Sequence, residues 1–396
     1  YMIFCRGIAP EKILTVTYTV AATKDMSERF ASRFGQDLAD HLEFRTINGI
    51  CARVIQYYGR KTARTAFSLL TDEKRISAIL FAIYQKTERV YPTEGDLKNV
   101  RTLITYIKNR MLNEKEIEAL DETSEIRISA IYKEYCKHLR ENQLMDYDDQ
   151  MVYAYNMLRK IPWLLEYFQD QYPYICVDEA QDTSKIQHAI IALLAARMEN
   201  LFMVGDEDQS IYGFRAAYPE ALLEFEQRHR DAKVLLMEEN FRSDANIVAA
   251  ADHFIQKNTL RHEKHMRASR ESVQQIKEIS VGTRKAQYAY LAKVAEGCTT
   301  ETAVLYREHE CALPLIDLLE RKGIPYRMRN AELTFFTHRV VQDIRNIIRL
   351  AADPADTELF LQVYYKLNTY IRRQLAQEIV KISQEKQISV WDAAQQ

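Results

Sequence analysis

The sequence predicts an α/β protein, with two parallel-sheet domains and helical segments inserted between strands. Three observations predict it. Short apolar runs at residues 12–18, 174–177 and 201–204 each end in polar residues, as buried parallel strands do when their carboxyl ends face a ligand crevice. Residues 71–140 carry isoleucine, leucine and tyrosine at helical spacing only. Beyond residue 215 a second alternation of apolar runs and helical stretches begins.

Each element has its own signal. The run 12–18 reads as a strand leading into a helix over 21–34, with Met26, Phe30 and Phe34 on its apolar face. A second polar strand exit, Arg45-Thr46-Ile47-Asn48-Gly49, precedes a helix over 50–58. The helical insertion shows Ile76, Ile79, Leu80 and Ile83, then Leu97, Val100, Ile104 and Ile107, then Ile128, Ile131, Tyr135 and Leu139. Asp146 reads as the N-cap of the next helix with Asp149 as its capping-box partner, in preference to an acidic metal site. A helix over 219–228, a strand over 234–237 and a helix over 245–256 follow. Residues 257–271 are basic, carry two histidines, His262 and His265, without ligand spacing, and read as an exposed loop. Strands over 303–307 and 324–327 flank a helix over 312–322, and the chain is helical from residue 340 onward.

Bulk properties narrow the class. The chain has 396 residues, 28% of them charged and 47% hydrophobic, so it is long enough for two or three domains with ordinary globular composition. A net charge of −2 announces no global basic field, although a local groove suffices for nucleic acid. The six cysteines are scattered without a C-x-x-C pair, which fits a reduced cytoplasmic protein better than a disulfide scaffold or zinc site. No run is long and apolar enough to span a bilayer.

The most specific chemistry lies at two strand exits. Val177 is followed by Asp178 and Glu179, and the run 201–204 by Gly205-Asp206-Glu207-Asp208-Gln209. Phosphate cleavage needs a metal ligand, a water activator, a γ-phosphate sensor and a cation for the developing charge. Asp178 suits the first role, Glu179 the second, Gln209 the third and Arg242 the fourth. The sequence contains no G-x-x-x-x-G-K-[ST] phosphate loop; Gly59-Arg60-Lys61-Thr62 copies its last letters but lies in a helical context.

Several segments, in order, resemble the UvrD/Rep/PcrA group of superfamily 1 DNA helicases. Thr17 to Ala22 is similar to motif Ia, Arg45 to Gly49 to motif Ib, Val177 to Thr183 to motif II, Gly205 to Arg215 to motif III, and Glu239 to Ser243 to motif IV. Residues 303–307 and Phe335-Phe336 match later stretches. The resemblance implies two RecA-like P-loop NTPase-type domains. Residues 1–70 and 171–217 would form domain 1A, 71–170 the helical 1B insertion, 218–352 the first part of domain 2A and 353–396 the start of a helical 2B insertion.

It further implies ATP and Mg2+ as cofactors, with magnesium at Asp178 and Glu179 and nucleotide contacts at Asp178, Gln181 and Phe241, whose ring would stack on adenine. Arg242 becomes a γ-phosphate finger and Gln209 the link between nucleotide and DNA. Single-stranded DNA would meet Thr17, Tyr18, Thr46, Asn48, Tyr212, Phe214 and Arg215; aromatic stacking tolerates any base, which suits a motor. Asn48 stands where the family has histidine, and Val20 where it has asparagine.

The activity implied is ATP-dependent 3′–5′ translocation and unwinding at single-strand/duplex junctions, in repair or recombination, by a nucleoid-associated bacterial-type protein acting as a monomer or transient dimer. The Walker A loop and adenine-reading Q motif would lie before Tyr1, and motifs V and VI beyond Gln396, so the chain reads as a fragment inactive by itself. Two other readings stand beside this one: the motor part of an AddA/RecB-like nuclease subunit, and a DNA-binding module without turnover.

Overall fold

The computed structural model describes all residues except 91, 214, 215, 230, 309, 310, 329–338, 368–370 and 396, and the side chains of Glu94, Arg339 and Arg373. Phe214, Arg215 and Phe335-Phe336 therefore lie outside the described residues. Two compact units result, Tyr1–Ile276 and Lys277–Gln396.

The first unit is organised by four parallel strands: β1 (Ile13–Thr17), β2 (Glu43–Thr46), and, after two short strands met below, β5 (Tyr174–Val177) and β6 (Leu201–Met203). Their order is β2-β1-β5-β6. The β-branched and leucine side chains Ile13, Leu14, Val16, Ile175 and Val177 are almost fully buried, as strands covered on both faces require. The register aligns Thr17 with Thr46, Val16 with Val177, and Val177 with Met203. All four polar exits thus emerge along one edge. Backbone pairing runs one step further, through Asp178 N–H to Val16 O (3.0 Å) and Ala180 N–H to Val204 O (3.0 Å).

The long helical insertion has its own core of Ile76, Leu80, Val100, Ile104, Ile131 and Leu139, among others, at the positions the periodicity indicated. Its two ends meet in a miniature parallel ladder, β3 (Ser68–Leu69) against β4 (Leu144–Met145), a feature too short to show as a sequence pattern. Asp146 does form the expected capping box with Asp149 at the start of the helix Tyr147–Lys160. The same carboxylates hold a lysine the sequence did not flag: Lys108 Nζ sits 2.8 Å from Asp146 and 2.7 Å from Asp149, with its side chain 1% exposed. Thr105 and Asn109 of the same insertion helix donate to Asp148 at 2.8 and 2.7 Å. Burial opposes the Lys108 charge, but the two carboxylates outweigh it and hold its pKa above the ordinary lysine value. Burial, then the Asp146 charge, push Asp148 up. Gly59 to Thr62 closes the helix Ile47–Thr62 and forms no phosphate loop.

Downstream the structure departs from expectation at several elements. Residues 234–237 form no strand; Leu235 and Met237 are 84% and 81% exposed, and the strand is instead β7 (Glu239–Asp244). Its partner is β8 (Arg267–Arg270), a parallel neighbour drawn from the stretch expected to be loop. The reason is pairing: a short apolar run becomes a strand only where a neighbour takes up its backbone groups, and β8 pairs with the polar segment after it. The helix expected over 219–228 breaks at Glu224 into Glu220–Leu223 and Phe225–Arg228. Residues 303–307 and 324–327 likewise carry no strand, and Leu305 is 93% exposed.

The second unit is helical among its described residues. Arg284–Glu296 packs on Leu313–Arg321 through Ala292, Leu315 and Leu319. Leu350, Phe360, Val363, Ile379 and Val390 join the helices from Arg339–Ala352 to Val390–Ala394 in a separate core. Among the described residues no helix is long and apolar enough to cross a membrane.

Removing one partner of a buried, multiply paired charge is costly because the others stay buried. Lys108→Met is expected to destabilise the first unit by about 3 kcal/mol. Guanidinium denaturation read by circular dichroism checks this; an unchanged midpoint would show that the carboxylates are not held by this lysine.

Candidate active site

At the end of β5 the chain makes a sharp turn. Glu179 adopts a left-handed backbone (φ 51°), a conformation that costs a non-glycine residue about 1 kcal/mol and persists where surrounding contacts enforce it. The enforcing contact is Gln181, which is 2% exposed. Its Nε2 donates to Glu179 Oε2 at 2.6 Å, and its Oε1 accepts the Asp206 N–H at 3.0 Å. Its backbone carbonyl accepts the Ser210 hydroxyl at 3.2 Å. One buried glutamine therefore ties the exits of β5 and β6 together. Gly205 makes this possible: a Cβ there would lie 2.8 Å from Gln181 Oε1 and 3.2 Å from Ala180 N.

Asp178 is half-buried beside Glu179, and burial first, then the Glu179 charge, raise its pKa above the usual carboxylate value. Asp182 is raised for the same two reasons, and its Oδ1 is buried without a hydrogen-bond partner among the described residues. A cation or its bound water would relieve both. Among the described residues no group of three or more histidine, cysteine or carboxylate side chains could hold a metal. Magnesium beside a nucleotide needs only one or two protein carboxylates, the phosphates and water supplying the rest, so Asp178 and Glu179 fit that ion. Gln209 is exposed, and its Nε2 donates to Asp206 Oδ2 at 2.7 Å.

The opposite end of the same sheet edge forms a cleft of about 490 Å³ lined by Thr17, Tyr18, Thr46 and Asn48 together with Tyr147 and Gln150. Two helices begin at this cleft. Thr19 caps Val20–Phe34 by accepting the Ala22 N–H at 3.0 Å, and Thr46 caps Ile47–Thr62 by accepting the Gly49 N–H at 3.1 Å. Helix N-termini offer backbone N–H groups and a positive dipole end to phosphate. Thr17 is buried, with its hydroxyl 2.7 Å from that of Thr23, so it shapes the cleft through backbone more than side chain. Asn48 is half-buried, and its Oδ1 has no hydrogen-bond partner among the described residues. The Tyr18 ring stacks on Tyr212, centroids 6.0 Å apart and planes 22° off parallel. The loop that carries Gln209 thus also reaches the cleft.

The structure joins Asp178, Glu179, Gln181 and Gln209 into one neighbourhood, and Thr17, Tyr18, Thr46, Asn48 and Tyr212 into another beside it. Phe241 (63% exposed) and Arg242 lie on β7; among the described residues no hydrogen bond or ion pair joins them directly to the first group.

Sequence reasoning missed two further parts of the site. His188, 5% exposed, places Nε2 3.2 Å from Ala180 O and so braces the turn after Glu179. Arg261 and Lys264 are largely buried rather than solvated. Arg261 makes a two-point pair with Asp208 (2.9 and 2.8 Å), the His262 N–H donates to Glu207 at 2.9 Å, and Lys264 Nζ lies 2.6, 3.2 and 3.3 Å from Asp206, Glu207 and Asp208. Burial raises Asp206 and Glu207, but Lys264 and the His262 N–H outweigh it, and both carboxyls end below their ordinary values. The available signal was three consecutive acids in one loop and a basic cluster in another.

Parallel strands with carboxylates at one exit and a glutamine-bearing loop at the next define a nucleotide-hydrolase fold of the RecA-like kind. Residues 1–230 match the UvrD/REP helicase N-terminal domain and residues 235–396 the UvrD-like helicase C-terminal domain, so the chain belongs to the UvrD-type DNA helicase family. It is 27% identical over 404 residues to the ATP-dependent DNA helicase PcrA of Staphylococcus epidermidis, covering 99% of this chain and 54% of that protein. The Staphylococcus aureus protein of the same name is 25% identical over the same coverage. The chain spans about half the length of these curated relatives.

Burial lowers the His188 pKa from 6.5 to about 4, against the bond to Ala180 O, with Arg228 adding to the depression. The folded state therefore binds fewer protons than the unfolded chain between these values. The stability His188 contributes is fully present above pH 6.5 and is lost as pH falls toward about 4. The loss should reach about 3 kcal/mol. His188→Gln, which keeps a donor for Ala180 O, is expected to flatten this slope in urea melts at stepped pH; an identical slope in the variant would remove His188 from that role.

Proposed function

We propose that the chain carries much of the motor of an ATP-dependent DNA helicase that moves 3′ to 5′ along single-stranded DNA and opens duplex at junctions during repair or recombination. In this reading residues 1–70 and 171–217 make the first motor domain and 71–170 its helical insertion, whose last two helices, Tyr147–Lys160 and Pro162–Gln171, pack into the core of the sheet domain; 218–352 make the first part of the second motor domain and 353–396 the start of a second insertion. The observation that carries the reading is the loop from Gly205 to Tyr212. One end of it is bonded through Asp206 to Gln181 and the Glu179 turn, and the other stacks on Tyr18 in the cleft. A change at the nucleotide end then reaches the DNA end through seven residues of chain.

The roles follow from position. Asp178 would hold magnesium, which when bound supplies charge neutralisation at the phosphates. Glu179 orients a water and takes its proton as the water oxygen attacks the γ-phosphorus in line and the bond to the ADP oxygen breaks. Gln209 senses the γ-phosphate, and Arg242 offsets charge on the transferring group once β7 closes on the site. Phe241, exposed on the same strand, stacks on adenine. Thr46, Asn48 and the two capped helix ends take DNA phosphates, while Tyr18, Tyr212 and Phe214, with Arg215, meet bases and backbone.

In the full-length protein, single-stranded DNA should stimulate ATP hydrolysis; hydrolysis indifferent to DNA would overturn the helicase reading. Glu179→Gln is expected to retain nucleotide binding while kcat falls by about 100-fold or more. Stopped-flow phosphate release combined with fluorescent-nucleotide titration checks this, and retained turnover would remove Glu179 from its role. Phe241→Ala should weaken nucleotide affinity by about tenfold and leave oligonucleotide affinity almost unchanged. The reverse order would sink the adenine-stacking assignment.

A further inference from the structure

Asp206 is the pivot of the contacts that follow β6. Its Oδ2 accepts from Gln209, its N–H is held by Gln181, and its Oδ1 accepts from Lys264. Lys264 is the cation common to Asp206, Glu207 and Asp208. Without it three successive carboxylates would face one another with their shared counter-charge gone, and repulsion would turn Asp206 away from Gln209. Arg261 differs. Its two-point pair is with Asp208, and it also bonds Gln256 at 2.8 Å, so it anchors the loop without reaching Asp206.

The basic half of this clasp is continuous with the β7–β8 ribbon. The His265 N–H donates to Glu238 Oε1 at 2.8 Å and the Arg267 N–H to Glu238 O at 2.7 Å, immediately before β7. Phe241 and Arg242 follow on that strand. Lys264 therefore joins the loop bearing Gln209 to the ribbon bearing Phe241 and Arg242.

We propose that Lys264 is a positioning residue that, through Asp206, sets the side chain of Gln209 and couples it to the β7–β8 ribbon. The proposal rests on the reading of Gln209 as the γ-phosphate sensor. Lys264 touches no reacting atom; it decides whether Gln209 stands ready.

The experiment is steady-state ATP hydrolysis by the full-length protein at saturating oligothymidylate. Lys264→Met should lower kcat about tenfold while the KM for ATP and the affinity for the oligonucleotide stay within about twofold. Lys264→Arg should recover most of kcat, since it restores the charge. Because the two residues act in series, Lys264→Met combined with Gln209→Ala should be no slower than Gln209→Ala alone. Multiplying losses, or a Lys264→Met kcat equal to the parent's, would overturn the proposal. A Gln209→Ala variant with parental kcat would instead bring down the sensor reading on which the proposal stands. Should Lys264→Met lose its cooperative melt, Asp206→Asn answers the question, since it keeps an acceptor for Gln209 but removes the attraction for Lys264. Its kcat should fall, and parental turnover would overturn the proposal.

Discussion

The site depends on one buried amide. Gln181 has a donor and an acceptor in its side chain, and each is used on a different strand exit: the amide nitrogen on Glu179, the oxygen on the Asp206 backbone. A buried amide left unpaired costs about 1–3 kcal/mol, so both exits are held in the one arrangement that satisfies it. The left-handed turn at Glu179, the missing side chain at Gly205 and the His188 brace beneath Ala180 all serve that contact. From it the loop can run on to Gln209 and Tyr212 in a defined direction.

A second polar network does for the insertion what Gln181 does for the sheet. The helices between β3 and β4 have an apolar core of their own, and a two-residue parallel ladder joins the ends of that segment. Lys108, Thr105 and Asn109 fasten one of these helices to the three aspartates that open the helix Tyr147–Lys160. Tyr147 also lines the cleft with Tyr18 and Asn48. The helices before β4 are thus tied by charge to the element that forms a wall of the candidate DNA site. Apolar packing fills each body, and directional polar bonds set how neighbouring elements meet.

Much of the fold was legible because periodicity and capping are local signals. The strands before Thr17 and Asp178, the helices of the insertion and the Asp146–Asp149 box all follow from residues within a few positions of one another. Where strand formation depends on a distant neighbour, local reading failed. Residues 234–237 have a strand's composition but no partner among the described residues, whereas the polar Arg267–Arg270 has one. The basic stretch 257–271 looked solvated because its acidic counterpart lies more than fifty residues earlier, and burial of a charge is decided by its partner.

By itself the sequence determined the chemistry available and the family. Carboxylates after Val177, a glutamine after Asp208 and aromatics beside them were identifiable by type, order and spacing. Tertiary structure alone decided which of these groups meet. It showed Gln181 as the bridge, Tyr18 stacked on Tyr212, and Asp178 half-buried with its carboxyl raised. The physical reason is that residue type sets what a group can donate, accept or titrate. Hydrogen bonds and ion pairs, however, act over about 3 Å, and only the folded chain brings residues far apart in sequence within that reach. The two carboxylates at the end of β5 were visible from the start; what holds them was not.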